Sequence, residues 1–401
     1  MRGDIVKIGE VCTIAPPKSE VKNYRLGGND KVSFLPMEDL GVDIKSIIPN
    51  KERTLEEVAG SYTYFAEGDI LLAKVTPCFE NGKLGIASCL KNGIGFGSSE
   101  FIVLRPNVKK VIPTYLYYRL QDSSFRKEGR SLMVGACGLK RLPKSYVAES
   151  PIYLPTLSAQ QRIVDILDVE FAKIDTLKTN AERNLQNAKE LFKTAVGKEL
   201  SAKKGWKKYT LQDACLEYGQ YGMSVPSKPY NGVRYLRITD ITEDGNLNND
   251  RVSAKTDYII EEKYYLKRGD VLFARTGATV GKTLVYEPEM GECSYAGYLI
   301  RYRPNTNIVL PRTLYYITHS LPYYEWVLKV QKQAVLPNIS AKLYNDYTFS
   351  VPNIAEQRSI IATLDGLNTK CRVLQDNYTK TIALCADLKQ SLLRKAFNGE
   401  L

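Results

Sequence analysis

Basic, hydroxyl and amide side chains gather beside a glycine-rich turn in the C-terminal half of the sequence. Arg275, Thr276 and Gly277 begin this run, and Lys282 closes it five residues after the glycine. A second stretch interleaves charge with amide and hydroxyl groups, and it comprises Lys332, Gln333, Asn338, Ser340 and Lys342. Lysine and arginine neutralise phosphates, whereas amides and hydroxyls hydrogen-bond to the edges of bases. Both stretches are therefore candidate nucleic-acid contacts.

The N-terminal half carries equivalent candidates, which are Lys74, Lys83, Ser98, Ser99, Lys140 and Arg141. Any one of these side chains could equally be a solvated surface charge or part of an ordinary turn, so the sequence supports the segments better than single residues. The net charge of +12 and the isoelectric point near 9.1 favour an anionic partner, most simply nucleic acid.

Motifs for catalysis are missing from the sequence. Residues 277–283 (GATVGKT) resemble a phosphate-binding loop, but three residues separate the glycines where four are required. The Asn-Pro-Pro-aromatic and Asp-Pro-Pro-aromatic motifs of adenine methyltransferases are absent. One histidine, His319, leaves little scope for a catalytic triad or a zinc site, and we expect it to pack within a helix. The eight cysteines form no C-x-x-C pair, which favours reduced thiols. We expect no catalytic residue, no metal and no cofactor bound by this chain.

An internal repeat organises the chain. Residues 67–74 (EGDILLAK) align with 268–275 (RGDVLFAR), residues 101–106 (FIVLRP) with 299–304 (LIRYRP), and residues 113–118 (PTYLYY) with 311–316 (PRTLYY). The offset between the halves drifts from 203 to 197 without any change of order. Such collinearity predicts two copies of one mixed α/β domain, in which residues 69–73, 101–104, 270–274 and 299–302 form strands.

Each copy is followed by a long stretch of heptads. The first apolar series is Leu167, Phe171, Ile174, Leu177, Ala181, Leu185, Ala188, Phe192 and Ala195. The second is Ile360, Leu364, Leu367, Cys371, Leu374, Tyr378, Ile382, Cys385 and Leu388. Each series takes eight steps over 28 residues, which is the 3.5-residue period of a left-handed coiled coil. We expect the two helices to pair within the chain and to run antiparallel, although pairing between chains stays open.

These observations predict an α+β protein with a pseudo-twofold internal repeat. Domain 1 (residues 1–155) precedes a coiled-coil helix (156–200), a polar linker (201–207) leads to domain 2 (208–352), and a second helix occupies residues 353–401. Proline ends the strand before each helix, and two capping boxes are candidates, Ser158 with Gln161 and Asn353 with Glu356. No stretch of 18 apolar residues exists, and the N-terminus lacks the pattern of a signal peptide, so we expect a soluble cytoplasmic protein.

The residues at the helix starts carry a family resemblance. Residues 154–164 (LPTLSAQQRIV), 351–358 (VPNIAEQR) and 392–401 (LLRKAFNGEL) resemble the helices of type I restriction-modification specificity (S) subunits. Residues 268–282 (RGDVLFARTGATVGK) resemble the target recognition domains of the same family. The resemblance covers the whole chain in the order domain, helix, domain, helix. Domain 1 departs from it after Lys74, where Val75, Thr76 and Pro77 follow.

The resemblance implies a role in host defence. Such subunits read a bipartite, asymmetric site in double-stranded DNA, one half per target recognition domain. They hold two modification subunits, which methylate adenine N6 from S-adenosylmethionine, and restriction subunits complete an ATP-dependent nuclease. S-adenosylmethionine, ATP and magnesium are then expected on the partners. A heptad stripe of 28 residues spans roughly 42 Å, close to one turn of duplex at about 34–36 Å, so helix length would set the unread spacer.

Two other classes of protein stay open on the residues alone. One is a stand-alone coiled-coil regulator or architectural protein that binds DNA without partners. The other is a methyltransferase or nuclease with diverged motifs, which would bind S-adenosylmethionine itself.

Overall fold

The computed structural model describes residues 3–136, 138–242, 244–255, 259–331 and 337–401. It contains two compact units, of which unit 1 is assembled from two separate parts of the sequence and unit 2 is one continuous segment. Unit 1 comprises Met1–Ala181 together with Lys380–Leu401, and unit 2 comprises Glu182–Thr379.

Domain 1 is a mixed α/β structure within unit 1. In its described part, a five-stranded sheet has the strand order Cys12–Ile14, Phe101–Pro106, Ile70–Ala73, Leu84–Ala87 and Ser46–Ile47. A four-stranded sheet has the order Lys51–Thr54, Lys31–Leu35, Ile94–Gly97 and Thr63–Ala66. Two further antiparallel pairs join Asp4–Lys7 to Pro151–Leu154 and Val134–Ala136 to Leu139–Arg141. The helices are Ile8–Val11, Leu55–Ala59, Pro113–Leu120, Ser123–Ser131 and Lys144–Glu149.

Domain 2 repeats this plan within unit 2. In its described part, a four-stranded sheet has the order Gln220–Tyr221, Leu299–Tyr302, Val271–Ala274 and Thr283–Val285. Paired strands are Lys207–Thr210 with Thr348–Val351, Ser227–Pro229 with Val252–Ala254, and the parallel pair Arg234–Leu236 with Cys293–Tyr295. The helices are Pro311–Ile317, Leu321–Gln331 and Ala341–Asn345. The mixed α/β fold predicted for both domains is confirmed.

The repeat is visible in the hydrogen bonds as well as in the sequence. Asp69 accepts a 2.8 Å bond from Nε of Arg105, and Asp270 accepts an equally long bond from Nε of Arg303. The two carboxylates also cap the turns before their own strands, by accepting bonds from the backbone N–H groups of Ala66 and Lys267, respectively. Each aspartate lies at the start of an entirely buried strand, so a paired charge fixes the same corner of both domains.

Two continuous helices complete the units. Long helix 1 is Leu157–Glu199 and long helix 2 is Ile354–Phe397. In unit 1, Leu167 and Phe171 near the start of long helix 1 share a core with Leu393 near the end of long helix 2. In unit 2, Val196 near the end of long helix 1 shares a core with Ile360 near the start of long helix 2. The two helices therefore run antiparallel in each unit, as predicted.

The buried stripe of the long helices differs in part from the predicted one. Leu167, Phe171, Ile174, Ile360 and Leu364 are buried, and Leu185, Leu367 and Ile382 are half-buried. Leu177, Leu374 and Leu388 are 50%, 39% and 48% exposed. Four small members of the predicted series, by contrast, are buried, and they are Ala181, Ala188, Cys371 and Cys385. Heptad spacing alone does not show which of two neighbouring apolar positions faces inwards.

The starts of the long helices are capped in two ways. Asn353 Oδ1 accepts a 3.0 Å bond from the backbone N–H of Glu356, which agrees with the predicted cap. The predicted cap at Ser158 is wrong, because the helix already begins at Leu157 and Oγ1 of Thr156 accepts a 3.4 Å bond from the N–H of Ala159.

A buried glutamine anchors the first turn of each long helix. Gln160 is fully buried, and its carbonyl oxygen accepts a 2.9 Å bond from the backbone N–H of Ile112. Its amide nitrogen donates to the backbone carbonyls of Lys110 and Pro155, both at 2.9 Å. Gln357 makes the same three bonds in unit 2, to Leu310, Ile308 and Pro352. Each glutamine thus joins its long helix to the loop before a shorter helix of the same unit, which is Pro113–Leu120 in unit 1 and Pro311–Ile317 in unit 2.

His319 packs at the end of the helix Pro311–Ile317, as expected. Its Nδ1 lies 2.8 Å from the carbonyl oxygen of Tyr315, and the two ring centroids are 4.1 Å apart. Burial lowers the pKa of His319 from 6.5 to about 4. The ring is therefore neutral at pH 7.

This shift predicts a loss of stability in mild acid. Below pH 6.5 the histidine of the unfolded chain is protonated, whereas His319 of the folded protein stays neutral until the pH falls to about 4. The free energy of unfolding therefore falls as the pH decreases through this window. Between pH 7 and pH 5 the loss should be about 2 kcal/mol, at about 1.4 kcal/mol per pH unit. Urea unfolding of the wild type and of His319→Gln at both pH values measures it. An equal pH dependence in the two proteins would contradict the assignment, because His319 is the single histidine of the sequence.

No helix in the described ranges is both long and apolar enough to cross a membrane. Seven of the eight cysteines lie in the described ranges, and none of the seven is in a disulfide.

Candidate nucleic-acid interface

In domain 2, the two candidate stretches come together, although 49 residues separate Lys282 from Lys332 in sequence. Thr276 forms an antiparallel bridge with Asn338. The N–H of Gly277 donates to the carbonyl of Pro337 at 3.1 Å, and the N–H of Ile339 donates to the carbonyl of Arg275 at 2.8 Å. The backbone therefore presents the glycine turn and the amide segment side by side.

The Arg275 side chain is oriented by two neighbours. Its Nε donates to Oδ1 of Asn338 at 3.3 Å, and its guanidinium carbon lies 4.9 Å from the centroid of the Tyr221 ring. A ring beneath a guanidinium restricts its motion and stabilises its charge. Tyr298, whose carbonyl accepts from the Arg275 N–H at 3.0 Å, exposes 61% of its surface. This group offers planar donors, an amide and an aromatic hydroxyl, which together suit base edges.

The other candidates of domain 2 have more ordinary positions. Lys282 ends the turn, with its N–H bonded to the carbonyl of Thr279 at 3.0 Å. Oγ of Ser340 accepts from the N–H of Leu343 at 3.4 Å and caps the helix Ala341–Asn345, on which Lys342 is exposed. Lys332 and Gln333 lie outside the described residues.

Domain 1 builds the same backbone frame from different residues. The N–H of Thr76 donates to the carbonyl of Lys140 at 2.9 Å, and the N–H of Leu142 donates to the carbonyl of Lys74 at 2.7 Å. The N–H of Lys74 donates to the carbonyl of Glu100 at 2.9 Å, the bond that Arg275 makes to Tyr298 in domain 2. Lys74, Glu100 and Arg141 therefore occupy the places of Arg275, Tyr298 and Asn338.

The side chains in domain 1 form a charged cluster. Arg141 donates three bonds to the Glu100 carboxylate, two from Nε and one from Nη2, at 2.8–3.1 Å, and these bonds hold the pKa of the Glu100 carboxyl below its usual range. Nζ of Lys74 donates to the carbonyl of Ser99 at 2.8 Å, and burial lowers the pKa of this ammonium. Lys140 is exposed. Glu100 neutralises only part of the positive charge of Lys74, Lys140 and Arg141, so these cations can still bind anionic phosphates.

Two predicted residues of domain 1 have structural partners. Oγ of Ser98 accepts a 3.2 Å bond from the N–H of Glu100, which shapes the turn before the strand Phe101–Pro106. Nζ of Lys83 donates to the carbonyl of Met37 at 2.8 Å and so ties together two parts of the domain.

Sequence reasoning missed Glu100, Tyr221 and Tyr298. The alignment of the two halves could have identified Glu100 and Tyr298, because both residues immediately precede a matched strand start, Phe101 or Leu299. Tyr221 carries no comparable signal in the sequence.

Two ion pairs line a cleft of about 550 Å³ in unit 1. Lys45 donates to Asp168 at 2.8 Å, and Lys389 donates to Asp175 at 2.6 Å. Within the described ranges, no group of three or more histidine, cysteine or acidic side chains could hold a metal ion. The geometry of the candidate interface fits binding of a polyanion.

The sequence profile of the type I restriction modification DNA specificity domain matches residues 4–186 and 203–382. The chain belongs to this family. The resemblance found in the sequence is confirmed, and the family is one of non-catalytic DNA-recognition subunits. Membership does not support the alternative of a stand-alone regulator.

Relatives and solved structures agree with this assignment. The chain is 34% identical over 181 residues to the type I restriction enzyme EcoAI specificity subunit of Escherichia coli, and 33% identical over 189 residues to the EcoEI specificity subunit of the same organism. These matches cover 45% and 47% of this chain, and the chain spans only 30% and 31% of those subunits.

The fold is shared over the full length of the chain. One solved chain comes from a structural study of complex assembly and conformational transition of the type I R-M system. Its TM-score to this chain is 0.82 at 21% sequence identity, and the match covers 100% of this chain and 98% of the solved chain. The HsdS subunit from Thermoanaerobacter tengcongensis has a TM-score of 0.62 at 21% identity, with 100% and 97% coverage.

Proposed function

We propose that this chain reads a bipartite, asymmetric site in double-stranded DNA, one half with each domain. The observation that carries the proposal is that one backbone frame holds Lys74, Glu100 and Arg141 in domain 1 but Arg275, Tyr298 and Asn338 in domain 2. Because the two domains share this backbone frame, we expect them to dock on DNA in the same orientation. Because the side chains on the frame differ, we expect the two domains to contact different base edges. The two halves of the site should therefore differ in sequence.

The partners that fit this role are two modification subunits and the restriction subunits of a type I complex. In unit 1, the long helices expose large apolar side chains that a partner could bury, which are Val169, Leu177, Leu384 and Leu388, between 48% and 65% exposed. Transfer of methyl groups from S-adenosylmethionine to adenine, and ATP- and magnesium-dependent cleavage, then belong to these partners, and this chain binds no cofactor. A role on chromosomal and invading DNA places the chain in the cytoplasm.

Mapping of N6-methyladenine across the genome, with and without this chain, tests the proposal. We expect one split motif that disappears when the chain is deleted. Arg275→Ala should relax the motif in one half only and Arg141→Ala in the other half only, each at a cost of about 1–3 kcal/mol in discrimination. Arg268→Ala is the matched control, because that guanidinium is 69% exposed and pairs with surface glutamates.

Three outcomes would count against the proposal. Methylation that persists without the chain would exclude a role in site recognition. A single substitution that weakens the sequence preference in both half-sites would contradict the assignment of one half-site to each domain. An effect of Arg268→Ala as large as that of Arg275→Ala would remove the glycine turn from the interface.

A further inference from the structure

An exposed hairpin projects from the frame of domain 1. Its strands Val134–Ala136 and Leu139–Arg141 pair antiparallel, with Val134 opposite Arg141 and Ala136 opposite Leu139. Every described residue of the hairpin is exposed, and Val134 and Leu139 expose 69% and 52% of their surface. Large apolar side chains on an exposed two-stranded ribbon indicate a surface that another molecule covers.

The alternation of side chains sorts the hairpin into two faces. Residues opposite one another share a face, so Val134, Ala136 and Leu139 lie together with Arg141, and Lys140 points the other way. Arg141 is held by Glu100 at the base of the hairpin. The free part of this face is therefore apolar.

Glycine keeps the two strands close. Gly135 has a φ of +140°, and a Cβ at this position would lie 2.5 Å from the carbonyl oxygen of Leu139. A side chain here would push the strands apart, so the backbone requires glycine and the hairpin has a fixed shape.

The surroundings of the hairpin identify its occupant as a polyanion. Lys74, Lys140, Arg141 and Lys144 surround its base, and Glu100 is the acid that faces them. The N–H of Thr76 bonds to the carbonyl of Lys140, so the hairpin is attached directly to the candidate interface. The major groove of B-form DNA admits a two-stranded ribbon, and within it only thymine presents a methyl group.

We propose that this hairpin enters the major groove of the half-site read by domain 1, where Val134 and Leu139 contact thymine methyl groups. The inference rests on the proposed function and deepens it, because it assigns the class of base that one half-site must contain. The lysines at the base of the hairpin, Lys74, Lys140 and Lys144, hold the flanking phosphates, and the apolar face adds a preference for thymine to the base contact of Arg141.

Replacement of thymine by deoxyuridine tests the proposal, since it removes only the methyl group. The complete complex is titrated with duplexes that carry the mapped site, in which each thymine is replaced in turn. At one or two thymines in one half-site, we expect wild-type affinity to fall about fourfold, the effect of uncovering one methyl group. Val134→Ala or Leu139→Ala should abolish this difference at the same position.

Val108→Ala is the control, because Val108 is 67% exposed in the same unit and should leave the discrimination unchanged. Both hairpin residues are exposed, so their alanine variants should fold. Binding of a split site without any response to deoxyuridine would overturn the hairpin assignment and leave the proposed function intact. Absence of a split site would instead overturn the proposed function itself. Equal discrimination in Leu139→Ala, Val134→Ala and the wild type would also refute the contact.

Discussion

Replacement of Asp270 by alanine is expected to lower the free energy of unfolding of unit 2 by about 3–5 kcal/mol. The carboxylate is fully buried and accepts bonds from Nε of Arg303 at 2.8 Å and from the backbone N–H of Lys267 at 2.9 Å. Arg301, which is 3% exposed, lies 3.9 Å away. Without the carboxylate, the acidic partner that the structure shows for both arginines is Glu217, which is 41% exposed and offers weaker compensation.

Urea unfolding, followed by hydrogen exchange at the strand Val271–Ala274, measures this loss in unit 2 separately from unit 1. Glu289→Ala is the control, because Glu289 pairs with Arg268 on the surface and should cost less than about 1 kcal/mol. Asp69→Ala should destabilise unit 1 in the same way, through the loss of its bond to Arg105. A loss in Asp270→Ala no larger than in Glu289→Ala would contradict the importance of the buried pair.

Gln160→Leu is expected to cost about 3 kcal/mol, although it replaces a neutral side chain by one of similar size. The substitution removes the partner of the N–H of Ile112 and of the carbonyls of Lys110 and Pro155, of which the Pro155 bond is buried and the other two are part-buried. An unsatisfied buried polar group costs about 1–3 kcal/mol, and partial access to water reduces the sum for three groups. Gln357→Leu should have the same effect in unit 2.

Gln161→Leu provides a close control for this prediction. Gln161 is the next residue along the same helix and is exposed, and its side-chain amide donates to Asp165 one turn away. Thermal unfolding should lower the melting temperature of Gln160→Leu by several degrees and leave that of Gln161→Leu within about one degree. Similar melting temperatures for the two variants would show that the three backbone groups find other partners.

The sequence was sufficient to predict the repeat, the mixed α/β domains and the antiparallel long helices. These features depend on periodic or collinear patterns, such as the matching motifs at Asp69 and Asp270. Such patterns can be recognised in the sequence without knowledge of tertiary contacts. The inward positions of the long helices were predicted less well. Leu177 and Leu388 are 50% and 48% exposed while Ala181 and Cys385 are buried, and heptad spacing alone does not decide between neighbouring apolar positions.

The candidate site shows a similar division. The sequence indicated Arg275 and Asn338 separately, but their bond joins residues 63 positions apart and depends on how the frame closes. The stacking of Arg275 on Tyr221 depends on a contact that no periodicity encodes. The sequence does indicate the hairpin, since Cys137 and Gly138 separate two short segments, residues 134–136 and 139–141. It does not indicate that the hairpin is exposed, because apolar side chains such as Val134 and Leu139 are normally expected in the core.

The division of the long helices between the units has a consequence for biosynthesis. The core of unit 1 includes Cys385, Leu393 and Ala396, which are synthesised more than 230 residues after the last strand of domain 1, Pro151–Leu154. Domain 1 must therefore leave the ribosome with an open apolar side, and it acquires its last layer only after the second domain has been translated. Premature termination near residue 380 would damage the domain made first, and a nascent chain at that stage is a natural client for chaperones.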